Sequence, residues 1–112
     1  MASIRQAKVE SLLTRELSNI LQRDVAGWGV HEMVTLTVVR ISPDLSYARV
    51  YLSIFPNQRP NEVLEIIRHK VSYIRGVAGK ILGQQLRVVP ELVFLIDDSL
   101  DYAERIDELL NK

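Results

Sequence analysis

The apolar residues of this chain change their repeat along its length, and the change leaves few architectures open. Val9, Leu12, Leu13, Leu17, Ile20 and Leu21 follow the i, i+3, i+4 spacing of a helix with one buried face, which predicts a helix from about residue 4 to about residue 23. Gly27 and Gly29 around Trp28 break it, and the β-branched residues 34–39 predict a strand. Ser42-Pro43-Asp44 supplies turn chemistry, so a hairpin follows. In the second strand Ala48, Val50, Leu52 and Ile54 alternate with Tyr47, Arg49, Tyr51 and Ser53, the period of a sheet with one buried and one wetter face. Pro60 suits the first turn of a helical stretch that runs to about residue 85. Residues 86–96 predict a third strand, in which Pro90 has no N–H to donate and belongs at an edge or bulge. Asp97-Asp98-Ser99 then caps a short last helix. The order α-β-β-α-α-β-α, without repeat or linker, predicts one α+β domain over residues 1–112.

Composition narrows the function classes. The chain has no cysteine, which excludes disulfides and thiolate metal sites and fits a reducing cytoplasm. His31 and His69 alone do not make a metal site, and Arg5, Lys8 and Glu10 interrupt the N-terminal region, so neither a signal peptide nor a membrane span is expected. No GxSxG, Walker loop or HExxH occurs, so no catalytic residue, enzymatic activity or cofactor is expected. The formal charge of zero conceals an asymmetry: residues 1–90 hold 12 Lys/Arg against 7 Asp/Glu, and residues 91–112 hold 2 against 7. A basic body with an acidic end can offer one face to an anionic partner.

On a uniform helix with Arg68 at zero, the apolar residues between Val63 and Leu82 fall at about 160–320°. Arg75 then lies at about 340°, and His69 and Lys80 at about 100–120°, on the solvent side. This stretch has no acid from Arg68 to Arg87. It reads either as an ordinary solvated face or as a phosphate-binding one. Arg40, Arg49 and Arg87 are further candidates for phosphate contact, unless their stems only shield apolar neighbours. Tyr47, Tyr51 and Phe55 share a strand face and either stack bases or pack without such a role. Lys70 falls at about 200°, inside the apolar arc, where an ammonium is poorly solvated. The misfit predicts an irregularity between Ser72 and Gly79, with Ser72, Gly76 and Gly79 as its candidate residues.

The stretch Ser42-Pro43-Asp44-Leu45-Ser46-Tyr47-Ala48-Arg49-Val50-Tyr51-Leu52-Ser53, together with Leu86-Arg87-Val88-Val89-Pro90-Glu91-Leu92-Val93-Phe94 and Asp97-Asp98-Ser99, resembles the signature of bacterial ribosome-binding factor A. Arg15-Glu16-Leu17-Ser18-Asn19-Ile20-Leu21 and residues 103–110 resemble that family's first and last helices. The resemblance implies a type II KH-like fold with a kink between its second and third helices. It also implies a non-enzymatic factor that binds the small (30S) ribosomal subunit through 16S rRNA during late maturation. Maturation of the rRNA 5′ end, growth in the cold and an assembly GTPase as a further partner belong to the same implication. The family's Ala-x-Gly kink has its nearest match at Lys70-Val71-Ser72, which differs at both ends, while Arg75-Gly76-Val77-Ala78-Gly79-Lys80 contains a GxxG. A monomer is expected for the ribosome-binding reading, and two other classes fit the composition: a protein-interaction module pairing through its sheet or first helix, and an oligomeric ligand-sensing domain with an apolar pocket.

Overall fold

The computed structural model describes residues 3–97, and the expected final helix lies outside them. Helix α1 (Ile4–Asp24) begins with a capping box. The Ser3 hydroxyl accepts from the Gln6 N–H, and the Gln6 side chain returns to the Ser3 N–H. A 3₁₀ turn (Val25–Trp28) follows and closes on Gly29, whose φ of 85° suits a residue without Cβ. Strands β1 (Met33–Ile41) and β2 (Tyr47–Phe55) form the antiparallel hairpin, and β3 (Glu91–Ile96) adds parallel to β2, giving the order β1-β2-β3. Between them run α2 (Pro60–Arg68) and α3 (Val71–Leu82).

The helices cover one face of the sheet. Val9, Leu13, Leu17, Ile20 and Leu21 of α1 pack with Val63 and Ile67 of α2, Ile74, Ala78 and Leu82 of α3, and Ala48, Val50, Leu52, Leu92 and Phe94 of the sheet. Each large apolar side chain fully removed from water contributes about 1.5–3 kcal/mol, and this shared core holds the described elements together. A bulge between Leu36 and Val38 shifts the register of β1, so the inward set changes from Val34 and Leu36 to Val39 and Ile41.

Two expectations need correction. The third strand starts at Glu91, because residues 86–90 form an irregular connection that Pro90 ends. The helical break lies at His69 and Lys70, upstream of Ser72, Gly76 and Gly79, all three of which sit inside α3. The His69 N–H still reaches Glu65 O, but the Lys70 N–H turns tightly to Ile67 O at 2.9 Å. Lys70 therefore leaves the buried arc for solvent, and α3 can direct Ile74, Ala78 and Leu82 into the core on its own axis. Neither Gly76 nor Gly79 has a positive φ, so both are ordinary helical residues.

Candidate nucleic-acid interface

The partners of the cations sort the candidate residues. Arg68 is not free: its Nε and Nη2 both donate to Phe94 O, at 3.3 and 2.9 Å, and its Nη1 meets Glu65 Oε1 at 2.7 Å. Arg75 likewise donates to Val89 O at 2.8 Å and to Pro90 O at 3.2 Å. Both guanidinium forks tie α2 and α3 to β3 and the connection before it, a use that suits five fixed donors. Arg40 leans over the β1 edge to Glu10, at 3.7 Å. Arg68 is exposed and Arg75 half-buried, so both lie on the solvent side as expected, but both guanidinium groups are already bonded to protein acceptors. Long side chains at the margin of an apolar arc reach the neighbouring strand.

Six of the described Lys and Arg residues have no hydrogen-bond or ion-pair partner: Arg5, Lys8, Arg49, Lys70, Lys80 and Arg87. Lys70 and Lys80 are exposed, and exposed His69 adjoins Lys70 at the break. Together these three give the α2–α3 side a basic surface with no acid between Glu65 and Glu91. Arg49 lies on the opposite sheet face, directly across from Arg40. Like charges so placed repel each other, and an anion there would relieve that repulsion. Arg5 and Lys8 carry no sequence signal beyond their position on an amphipathic helix, and Lys70 falls in the buried arc of a uniform helix.

The outer sheet face carries the aromatic row. Phe55 is 71% exposed and Tyr47 44%, Tyr51 is half-buried, and no helix among the described residues covers them. At the opposite end of the core Trp28 packs edge-on to Tyr73, whose hydroxyl donates to Asp24 at 2.9 Å. His31 is an exposed loop residue.

The motif at residues 42–46 builds a turn and offers no reactive group. Ser42 Oγ accepts from the Ser46 and Tyr47 N–H groups, both at 3.1 Å, and donates to Asp44 Oδ1 at 2.7 Å. Asp44 Oδ1 also accepts from the N–H and hydroxyl of Ser46, and these bonds hold its carboxyl down at about 2. Arg59 forks onto Glu32 at 2.6 and 3.0 Å, which depresses the Glu32 carboxyl to about 2 and ties the start of α2 to the approach to β1. Among the described residues no cluster of His, Cys, Asp or Glu could hold a metal ion, and no helix is long and apolar enough to cross a membrane.

Comparison with known proteins settles the family. The family model described as ribosome-binding factor A matches residues 5–110. The chain belongs to the ribosome-binding factor A family. It is 37% identical to ribosome-binding factor A of Cytophaga hutchinsonii over 112 residues, covering 100% of this chain and 84% of that one. With the Flavobacterium johnsoniae protein the identity is 44% over 111 residues, covering 98% and 85%. The crystal structure of ribosome-binding factor A from Thermus thermophilus superposes with a TM-score of 0.69 at 23% identity, over 81% of this chain and 94% of that one. A Thermus thermophilus ribosome binding factor A model, fitted into the cryo-EM map of its complex with the 30S subunit, gives 0.64 at 21% identity, over 88% and 97%. The fold is therefore the α+β, KH-like fold of ribosome-binding factor A.

Proposed function

We propose that this chain is a non-enzymatic assembly factor that binds the free small (30S) ribosomal subunit through 16S rRNA and assists its late maturation. The reading includes processing of the rRNA 5′ end and growth in the cold, with the whole chain acting as one monomeric cytoplasmic domain and an assembly GTPase as a further partner. The observation that carries it is the set of unpaired basic side chains, His69, Lys70 and Lys80, on the stretch from Arg68 to Arg87, which contains no acid. Phosphate neutralisation releases counterions and needs no reactive group, so a small domain can hold RNA in position by this means alone. The partner of the Thermus thermophilus relative, a 30S subunit, supports the same choice.

The open outer sheet face, with Met33, Tyr47, Phe55 and Val93 exposed, favours a second reading as a protein-interaction module. Salt separates the two, because phosphate contacts weaken steeply as salt rises and apolar docking does not. The in vivo test is depletion followed by mapping of small-subunit rRNA 5′ ends. Accumulation of unprocessed ends, reversed by wild type and not by a Lys70→Glu/Lys80→Glu variant, is expected. Normal ends after depletion would remove the maturation role.

A further inference from the structure

Three of the six unpaired cations line a single cleft of about 520 Å³ that none of His69, Lys70 and Lys80 lines. Arg5 and Lys8 stand on the first turns of α1, and Arg87 on the connection between α3 and β3. The start of α1 is fixed beside the hairpin turn by its capping box and by the Gln6 side-chain amide, which donates to Ile41 O at 3.2 Å. Leu12, Leu45 and Leu86 supply apolar walls, each half-buried against the core. The volume lies within the about 300–1,000 Å³ typical of small-ligand sites, and the lining is divided evenly between polar and apolar surface.

Leu45 marks this cleft as more than a surface dent. Its φ of 62° places a branched, bulky residue in the left-handed region that such residues rarely enter. The hydrogen bonds of Ser42 and Asp44 hold the turn in that state, with the Leu45 N–H on Ser42 O at 2.9 Å, and the leucine side chain lines the cleft. Among the described residues Asp44 is the one acid on the lining. Its Oδ1 already accepts three hydrogen bonds within the turn, so much of its acceptor capacity is committed there.

We propose that this cleft binds one unstacked nucleotide of single-stranded RNA, with the base against Leu12, Leu45 and Leu86 and the flanking phosphates on Arg5, Lys8 and Arg87. The proposal rests on the rRNA-binding reading and adds a second contact, in a cleft that none of His69, Lys70 and Lys80 lines. Apolar walls beneath a cationic rim match a base joined to its backbone. A duplex keeps its bases stacked and presents only phosphate to such a site. An acidic peptide would satisfy the cations and leave the leucine walls without a planar group to cover them.

The test uses the full chain, a fluorescein-labelled single-stranded RNA decamer and the same decamer annealed to its complement. The single strand should bind more tightly than the duplex and shift the amide resonances of residues 42–46 and 86–89. An Arg5→Ala/Lys8→Ala/Arg87→Ala variant should lose at least tenfold in affinity. Its slope of log K against log salt should flatten by about 2, as expected for three lost phosphate contacts on a single strand. Leu45→Asn, which tolerates the left-handed backbone, should weaken single-strand binding and leave duplex binding unchanged. Equal binding of duplex and single strand, resonance shifts confined to residues 68–80, or an acidic peptide that shifts residues 42–46 when the RNA does not, would each overturn the cleft. Co-sedimentation with small subunits, run alongside, separates the two claims. Wild type that pellets with subunits yet ignores the decamer overturns only the cleft, whereas wild type that binds the decamer and never pellets overturns the ribosomal reading.

Discussion

Replacing Gly76 and Gly79 by alanine tests where the helical region bends. Both residues lie in the interior of α3 with negative φ, so the reason that usually keeps a glycine at a hinge is absent. A Cβ on Gly76 would meet nothing within 4 Å, and one on Gly79 would meet Val89 Cγ2 at 3.5 Å, an ordinary van der Waals contact. With no steric penalty, what remains is the backbone entropy that glycine loses in a helix, about 0.5–1 kcal/mol relative to alanine. Gly76→Ala should therefore stabilise by about 0.5–1 kcal/mol, and Gly79→Ala by at least as much, since its methyl gains contact with Val89. In a domain of this size that raises the melting midpoint by roughly 2–4 °C. Urea melts of each variant, fitted with an unchanged m-value, give the free energies directly. Subunit binding should not change. Destabilisation by either alanine would mean that the glycine holds a conformation other than a regular helix, and the assignment of the break to His69 and Lys70 would fail.

Arg75→Met should destabilise by about 1.5 kcal/mol, because two carbonyls lose a charged donor, and Arg75→Lys should recover little since an ammonium cannot fork across both. Denaturant melts check the ordering, and full rescue by lysine would refute it. Lys70→Glu/Lys80→Glu should cut small-subunit affinity at least tenfold with an unchanged melting midpoint, as both side chains are exposed and unpaired. Retention of wild-type affinity would clear that surface of any RNA role. The Glu32 carboxyl, depressed from 4.5 to about 2 by Arg59, adds stability that is complete above pH 4.5 and is lost as the pH falls toward 2. Thermal melts should show the advantage of wild type over Glu32→Gln shrinking across that window, and a constant difference would count against the ion pair.

Much of the fold was legible because its periods are strong. Leu13, Leu17, Ile20 and Leu21 declare the buried face of α1, and Ala48, Val50, Leu52 and Ile54 that of β2. The break after α2 was half legible. Lys70 in the apolar arc revealed that one uniform helix does not fit, but the glycines drew its position downstream, although local propensity is a weak guide next to packing. Residues 86–90 look like strand because they are β-branched and apolar, yet the chain must cross from the end of α3 to the strand beside β2, and that crossing leaves them irregular. The interface was the least legible part. An angle on a helical wheel places a Cα and does not show where a guanidinium ends. Arg68 and Arg75 reach carbonyls contributed by residues 14 to 26 positions away in sequence. Arg5 and Lys8 become neighbours of Arg87 only through the tertiary fold.

The most direct measurement is co-sedimentation of the purified protein with immature small subunits, mature small subunits and large subunits across a salt series. The account predicts that the protein pellets with small subunits, most strongly with immature ones, and that binding falls steeply between about 50 and 200 mM salt as phosphate contacts are lost. Equal pelleting with large subunits, or binding to small subunits that does not respond to salt, would contradict it.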